Sequence, residues 1–170
     1  MQVKMPVDDA VINQLHIYDM VEISGPIFTG RDAVLPKVVA CIKDGSCEAR
    51  GIFLQGTAVF HTAVSPAGIG PTSSNKLDIE GSIPELSAAG VKMHIGKGSL
   101  KKETVEALKD NNSIFLVTPP NTALLTATMQ KTRVVAFPEE GMEALYEVEV
   151  KNFPAIVAIA HGESIYDKQK

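Results

Sequence analysis

No tryptophan occurs among these 170 residues, and phenylalanine and tyrosine bring the aromatic share to only 5%. A core must therefore be built from Val, Ile, Leu and Ala, which the 45% hydrophobic content supplies in quantity for one medium domain spanning residues 1–170. A basic excess is missing too: the net charge of −4 leaves no footprint for nucleic acid. No apolar run approaches the ~20 residues that cross a bilayer. The first residues, Met1 to Asp9, contain no apolar signal region, so a cytoplasmic location is expected. Cysteine is scarce. Cys41 and Cys47 have no nearby Cys or His at ligand spacing, and two thiols complete neither a four-cysteine zinc site nor an iron–sulfur cluster. Cys41 falls inside a predicted helix, where core packing is its expected role.

What is present is punctuation. Thirteen glycines and ten prolines without a repeat imply many tight turns. They concentrate in Gly68-Ile-Gly-Pro-Thr-Ser-Ser-Asn-Lys76, which follows an apolar, strand-like run. Its glycines relax the backbone, Pro71 fixes φ, and its hydroxyls with neighbouring N–H groups suit an anion, to which Lys76 adds a charge. The same composition also suits an ordinary surface loop. Two other segments share the design: Gly30-Arg31-Asp32 ahead of a helix, and Gly96-Lys97-Gly98-Ser99 between a strand and a helix. The latter lacks the spacing of a nucleotide-binding P-loop.

The hydrophobic periodicity predicts a short helix over 9–15 and a strand over Met20–Ser24 that Gly25-Pro26 stops before Ile27–Thr29 resumes. A helix over Ala33–Lys43 follows, with Asp32 as N-cap and Arg31 beside its first backbone donors. Ile52–Val64 reads as the longest strand, with Gly56 marking a bulge or close approach and His61 a structural or surface residue. Ser82-Ile-Pro-Glu85 has the form of a capping box that opens a helix ending at Gly90. Strands are expected at Val91–Ile95, Ser113–Val117, Arg133–Phe137, Glu147–Val150 and Ala155–Ile159, and helices at 101–109 and 122–131. This alternation predicts a mixed α/β domain with a largely parallel sheet and additional antiparallel strands. Arg31, Thr72 and Lys97 would then sit in loops at the carboxyl ends of strands, where such sheets bind ligands.

Ile23-Ser-Gly-Pro-Ile-Phe-Thr-Gly-Arg-Asp-Ala33, Gly70-Pro-Thr-Ser-Ser-Asn-Lys-Leu-Asp78, Gly90-Val91 with Ile95-Gly-Lys-Gly98, and the tail Gly141-Met-Glu-Ala-Leu145 with Asn152-Phe-Pro-Ala155 occur in one order. Together they resemble the β subunit, or C-terminal domain, of class I iron–sulfur fumarases and L-tartrate dehydratases, from about Val11 to Tyr166. The resemblance implies a swivelling β/β/α three-layer domain. It implies reversible hydration of fumarate to malate, or the related dehydration of tartrate. It also implies a partner α subunit, in an assembly of two α plus two β, that carries a four-iron–four-sulfur cluster while this chain carries none. By motif position Thr72 would be the catalytic threonine. Arg31, Lys97 and Lys76 would bind substrate carboxylates, with Gly70 and Ser73 in the same cradle. Two positions depart from the family. Lys76 stands where arginine is usual and lacks its bidentate fork. Arg31-Asp-Ala-Val-Leu35 stands where Arg-Asp-Ala-Ala-His is common, so any role of that histidine is absent. A non-catalytic anion-binding module on the same fold is the alternative from another class.

Overall fold

The computed structural model of the chain describes residues 1–31, 33–62, 76–96, 99–119 and 122–166, with 76–80 and 122 described as backbone only. In chain order the elements are β1 (Gln2–Lys4), α1 (Asp9–Gln14), β2 (Met20–Thr29), α2 (Leu35–Asp44), β3 (Ala58–Phe60) and α3 (Lys76–Ala88). They continue with β4 (Met93–Gly96), α4 (Lys102–Asp110), β5 (Ile114–Val117), α5 (Thr122–Ala127), β6 (Met129–Ala136), β7 (Leu145–Ala160) and β8 (Glu163–Ser164).

Strands β2, β3, β4 and β5 pair in parallel, each next to its successor in this order. β7 then pairs antiparallel with β5 and also with the whole of β2. The sheet therefore closes on itself through β2, β3, β4, β5 and β7, with β1 added along the first half of β2 and β6 along the first half of β7. Alternate residues point into this closed sheet: Ile27, Ala58, Phe60, Met93, Ile95, Ile114 and Leu116 meet Val148, Val150, Phe153 and Val157 there. The opposite parity faces the helices. Phe28 and Val59 pack with Leu35, Val38 and Cys41 of α2 and Leu86 of α3, and Phe115 packs with Ile83 of α3 and Leu108 of α4. The domain is thus mixed α/β, with a mostly parallel sheet and additional antiparallel strands, as expected.

Several expected breaks turn out to be bends. Gly25-Pro26 does not stop the strand; β2 runs on to Thr29 with a change of register between Ile23 and Gly25. The partner of that irregularity is Asn152, at φ 57° in β7, whose backbone N–H donates to Ser24 Oγ at 3.0 Å. The two segments read as separate strands, 147–150 and 155–159, are therefore one bulged strand. Gly25 itself is at φ 113°, and a Cβ there would lie 3.0 Å from the carbonyl oxygen of Met5. The expected long strand over Ile52–Val64 shrinks to Ala58–Phe60 among the described residues. Gly56 is a close-approach site as expected: a Cβ there would lie 2.6 Å from the Val7 carbonyl oxygen.

The capping-box reading at Ser82 is corrected. α3 already begins at Lys76, so Ser82 is buried in mid-helix and Pro84 lies in its interior. An interior proline costs about 3 kcal/mol. Complete burial of Ile83 and Leu86 contributes about 1.5–3 kcal/mol each and offsets that cost. The helix expected over 122–131 ends at Ala127, and 129–131 joins β6 because it pairs with Val150 and Glu149. α2 starts two residues later than expected, after Val34, which makes no side-chain cap bond; Asp32, the expected N-cap, lies outside the described residues. Cys41 is buried in the core under α2, the role expected of it. No helix among the described residues is long and apolar enough to cross a membrane.

Candidate functional site

Because β2 to β5 are parallel and in register, their carboxyl ends lie along one edge. Thr29 is opposite Phe60, Phe60 opposite Ile95, and Ile95 opposite Leu116. The edge continues into Gly30-Arg31, His61-Thr62 and Thr118, and it is where Gly96 ends β4. Arg31 is half-buried two residues beyond β2. Its carbonyl accepts the N–H groups of Val34 at 3.1 Å and Leu35 at 2.9 Å, which fixes the turn into α2. Val38 N–H goes to the Val34 carbonyl, and Pro36 has no N–H. The described donors of this helix start are thus largely consumed, so the guanidinium rather than the helix end is what Arg31's position offers an anion.

Of the other expected site residues, Gly70, Thr72, Ser73 and Lys97 lie outside the described residues. Lys76 is the first residue of α3, and its side chain lies outside them as well. Leu35, where the resembling family has histidine, is a core residue packed with Val34 and Val38.

The same edge is marked by orphaned polar atoms. Thr29 Oγ1, His61 Nδ1 and Thr118 Oγ1 are shut off from solvent and have no hydrogen-bond partner among the described residues. Such groups are rare in folded proteins because each forfeits its bonds to water. All three lie at or just beyond the carboxyl ends of parallel strands, Thr29 at β2, His61 after β3 and Thr118 after β5.

Sequence reasoning missed what stands behind His61. His94 of β4 lies against it, with Nε2 of His61 3.2 Å from Nδ1 of His94 and the ring centroids 5.4 Å apart. Nε2 of His94 is in turn 2.8 Å from Ser87 Oγ on α3. All three side chains are buried on the helix-facing side of the sheet. The signal was available: a histidine inside Val91-Lys-Met-His-Ile95 alternates with apolar residues on a buried strand, and a buried imidazole needs partners. Burial pushes His61 down to about 4, and burial together with the neighbouring His61 holds His94 well below the usual histidine range. Both rings are therefore neutral at neutral pH.

This pair has a consequence for acid stability. Between about pH 6.5 and pH 4 the unfolded chain binds protons that folded His61 refuses, so unfolding is favoured as pH falls through that window. The shift corresponds to about 3 kcal/mol of stability that is complete above pH 6.5 and lost by pH 4. Urea unfolding between pH 7.5 and pH 4 measures it; a flat profile would show that the pair is wet or already charged.

The two cysteines of the sequence are too few to ligate an iron–sulfur cluster by themselves. Cys41 is buried in the core under α2, burial pushes the Cys47 thiol up, and among the described residues no three His, Cys, Asp or Glu side chains group as metal ligands.

Comparison with known proteins places the whole assembly of motifs in context. The Fumarase C-terminus family model matches residues 1–169. A Methanocaldococcus jannaschii protein, provisionally named an L(+)-tartrate dehydratase subunit beta, is 33% identical, covering 92% of this chain and 86% of its own length. The L(+)-tartrate dehydratase subunit beta of Escherichia coli strain K12 is 26% identical over 97% of this chain and 86% of its own. Fumarate hydratase 2 of Leishmania major is 25% identical over 97% of this chain, which spans only 31% of that protein. Matched from residue 1 to residue 169, the chain belongs to the Fumarase C-terminus family.

Proposed function

We propose that this chain is the β-type half of a hydro-lyase that adds water to, or removes it from, a four-carbon diacid. The observation that carries the reading is the family match over residues 1–169. The strand-end edge that carries Arg31 agrees with it, since Thr29 Oγ1, His61 Nδ1 and Thr118 Oγ1 there have no partner among the described residues. A diacid brings two negative charges, so its site needs cations and oriented donors in a water-poor setting. Arg31 and Lys97 are the carboxylate-binding cations of this reading, with Lys76 a weaker third and Gly70 and Ser73 in the same cradle. Thr72 handles the proton at carbon. The four-iron–four-sulfur cluster is assigned to a cysteine-bearing partner subunit, because the two cysteines of this sequence are too few to hold one. Hydration of fumarate to L-malate is the first reading. Dehydration of L(+)-tartrate is the second, favoured by the two relatives named as tartrate dehydratase subunits, each matched over 86% of its length.

Co-purification with the partner under anaerobic conditions, followed by assays on fumarate, L-malate and L(+)-tartrate, tests the assignment. Turnover is expected only when both chains are present. Full activity from this chain alone would overturn it. Within the active assembly, Arg31→Ala is expected to lower kcat/KM about 10- to 100-fold, since the guanidinium offers two parallel bonds to a carboxylate. Lys76→Ala, which removes a single point charge, is expected to cost less than about 10-fold. Steady-state kinetics on both variants decides; an equal or reversed ranking would show the two roles to be misassigned.

A further inference from the structure

The hydrogen-bond chain behind His61 has a direction. Ser87 Oγ is buried, and among the described residues its one bond is to Nε2 of His94. A hydroxyl owns a single proton, and leaving it without an acceptor in the interior is unfavourable. The hydroxyl therefore donates to Nε2 of His94. A neutral imidazole carries one N–H, so His94 has its proton on Nδ1 and donates to Nε2 of His61. His61 then carries its proton on Nδ1, the atom that has no acceptor among the described residues. The serine on α3 thus sets the tautomer of the ring just beyond β3 through the ring on β4. His61 is the first residue beyond β3, at the carboxyl edge of the parallel strands.

We propose that Ser87, His94 and His61 form a one-way chain of neutral hydrogen bonds whose last N–H, at Nδ1 of His61, binds a carboxylate oxygen of the substrate. Among the described residues that N–H meets no acceptor, and a carboxylate arriving with the substrate satisfies it in a medium of low dielectric. Burial keeps both rings neutral, so this bond adds orientation without adding a charge. The ligand class rests on the hydro-lyase reading above; the direction of the chain does not.

Two measurements test it. Long-range proton–nitrogen correlation on the ¹⁵N-histidine-labelled full chain at pH 7 reads the tautomers without any substrate. Both His61 and His94 are expected in the Nδ1–H form, and an Nε2–H form at either overturns the direction. Ser87→Ala, which leaves both rings in place, is expected to give a mixture of tautomers; an unmixed pair would overturn the serine's role. In the active assembly, His61→Phe is expected to raise KM for the diacid turned over about 10- to 100-fold, with kcat within about 3-fold. His61→Asn, whose amide nitrogen stands near the Nδ1 position, is expected to restore KM to within about 3-fold of the parent value. An unchanged KM in His61→Phe, or no recovery in His61→Asn, overturns the donor role. An assembly that turns over none of fumarate, L-malate or L(+)-tartrate overturns the hydro-lyase reading and the carboxylate ligand with it, whatever the tautomers.

Discussion

Thr72→Ala is expected to lower kcat of the assembled enzyme by about 10²- to 10⁴-fold, the range over which positioned proton-transfer groups act. The expectation follows from the chemistry of a hydroxy-diacid. Its carbon-bound proton is weakly acidic, and the charge left behind grows on a carboxylate, so two tasks have to be separated. On the proposed reading, Arg31 is one of the cations that stabilise the growing charge. A group with an exchangeable proton has to stand at the carbon, and on the proposed reading that group is Thr72, midway along the sequence stretch Gly68–Lys76. A threonine hydroxyl is a poor base at neutral pH and needs a second base beside it. That base is assigned to the partner subunit. Loss of a group that acts only in the transition state lowers kcat and kcat/KM together and leaves KM nearly unchanged. Thr72→Ser is expected to retain part of the rate. Normal turnover in Thr72→Ala would instead favour a non-catalytic anion-binding module on this fold, consistent with the departures at Lys76 and Leu35.

The largest expected effect on stability is at Phe153. Its ring is fully buried inside the closed sheet and meets Phe60 edge to face, with centroids 5.4 Å apart and planes at 72°. With no tryptophan in the chain, these two rings are among the largest side chains that fill the interior. Phe153→Ala is expected to cost about 3–5 kcal/mol, from lost transfer energy plus the cavity left behind. That is a large part of the 5–15 kcal/mol that typically separates folded from unfolded domains. Phe53→Ala serves as the control: that ring is 63% exposed, and its loss is expected to change stability by about 0.5 kcal/mol or less. Urea denaturation of the two variants side by side measures the difference. Equal midpoints would show that the interior collapses freely around the missing ring.

The parts of the site most legible in the sequence were those signalled by backbone chemistry. Glycine next to a cation after an apolar run marked Arg31, and the strand before it does end at the shared carboxyl edge. Close approach at Gly56 and core packing of Cys41 were equally readable, because each follows from a local property of one residue. Less legible was whatever depends on two distant segments at once. Gly25-Pro26 and Asn152-Phe-Pro154 each look like a strand break when read alone. Together they are the two sides of one bulge, and the Ser24 hydroxyl that accepts from Asn152 cannot be seen from either segment. The stretch 129–131 has helical periodicity, yet pairing with β7 claims it for β6. His94 and Ser87 escaped notice for the same reason, since neither is unusual until the sheet and α3 bring them to His61.

The closed sheet also bears on the order in which this protein can be made. One edge of β2 is covered only by β7, which is synthesised more than a hundred residues later. Loop closure over that length makes the last pairing slow compared with the local strand–helix units. Until residues 145–160 arrive, β2 and β5 each present an unpaired edge, and such edges recruit other chains. Truncation ahead of Leu145 would make that interim state permanent, with aggregation rather than a smaller folded domain as its outcome.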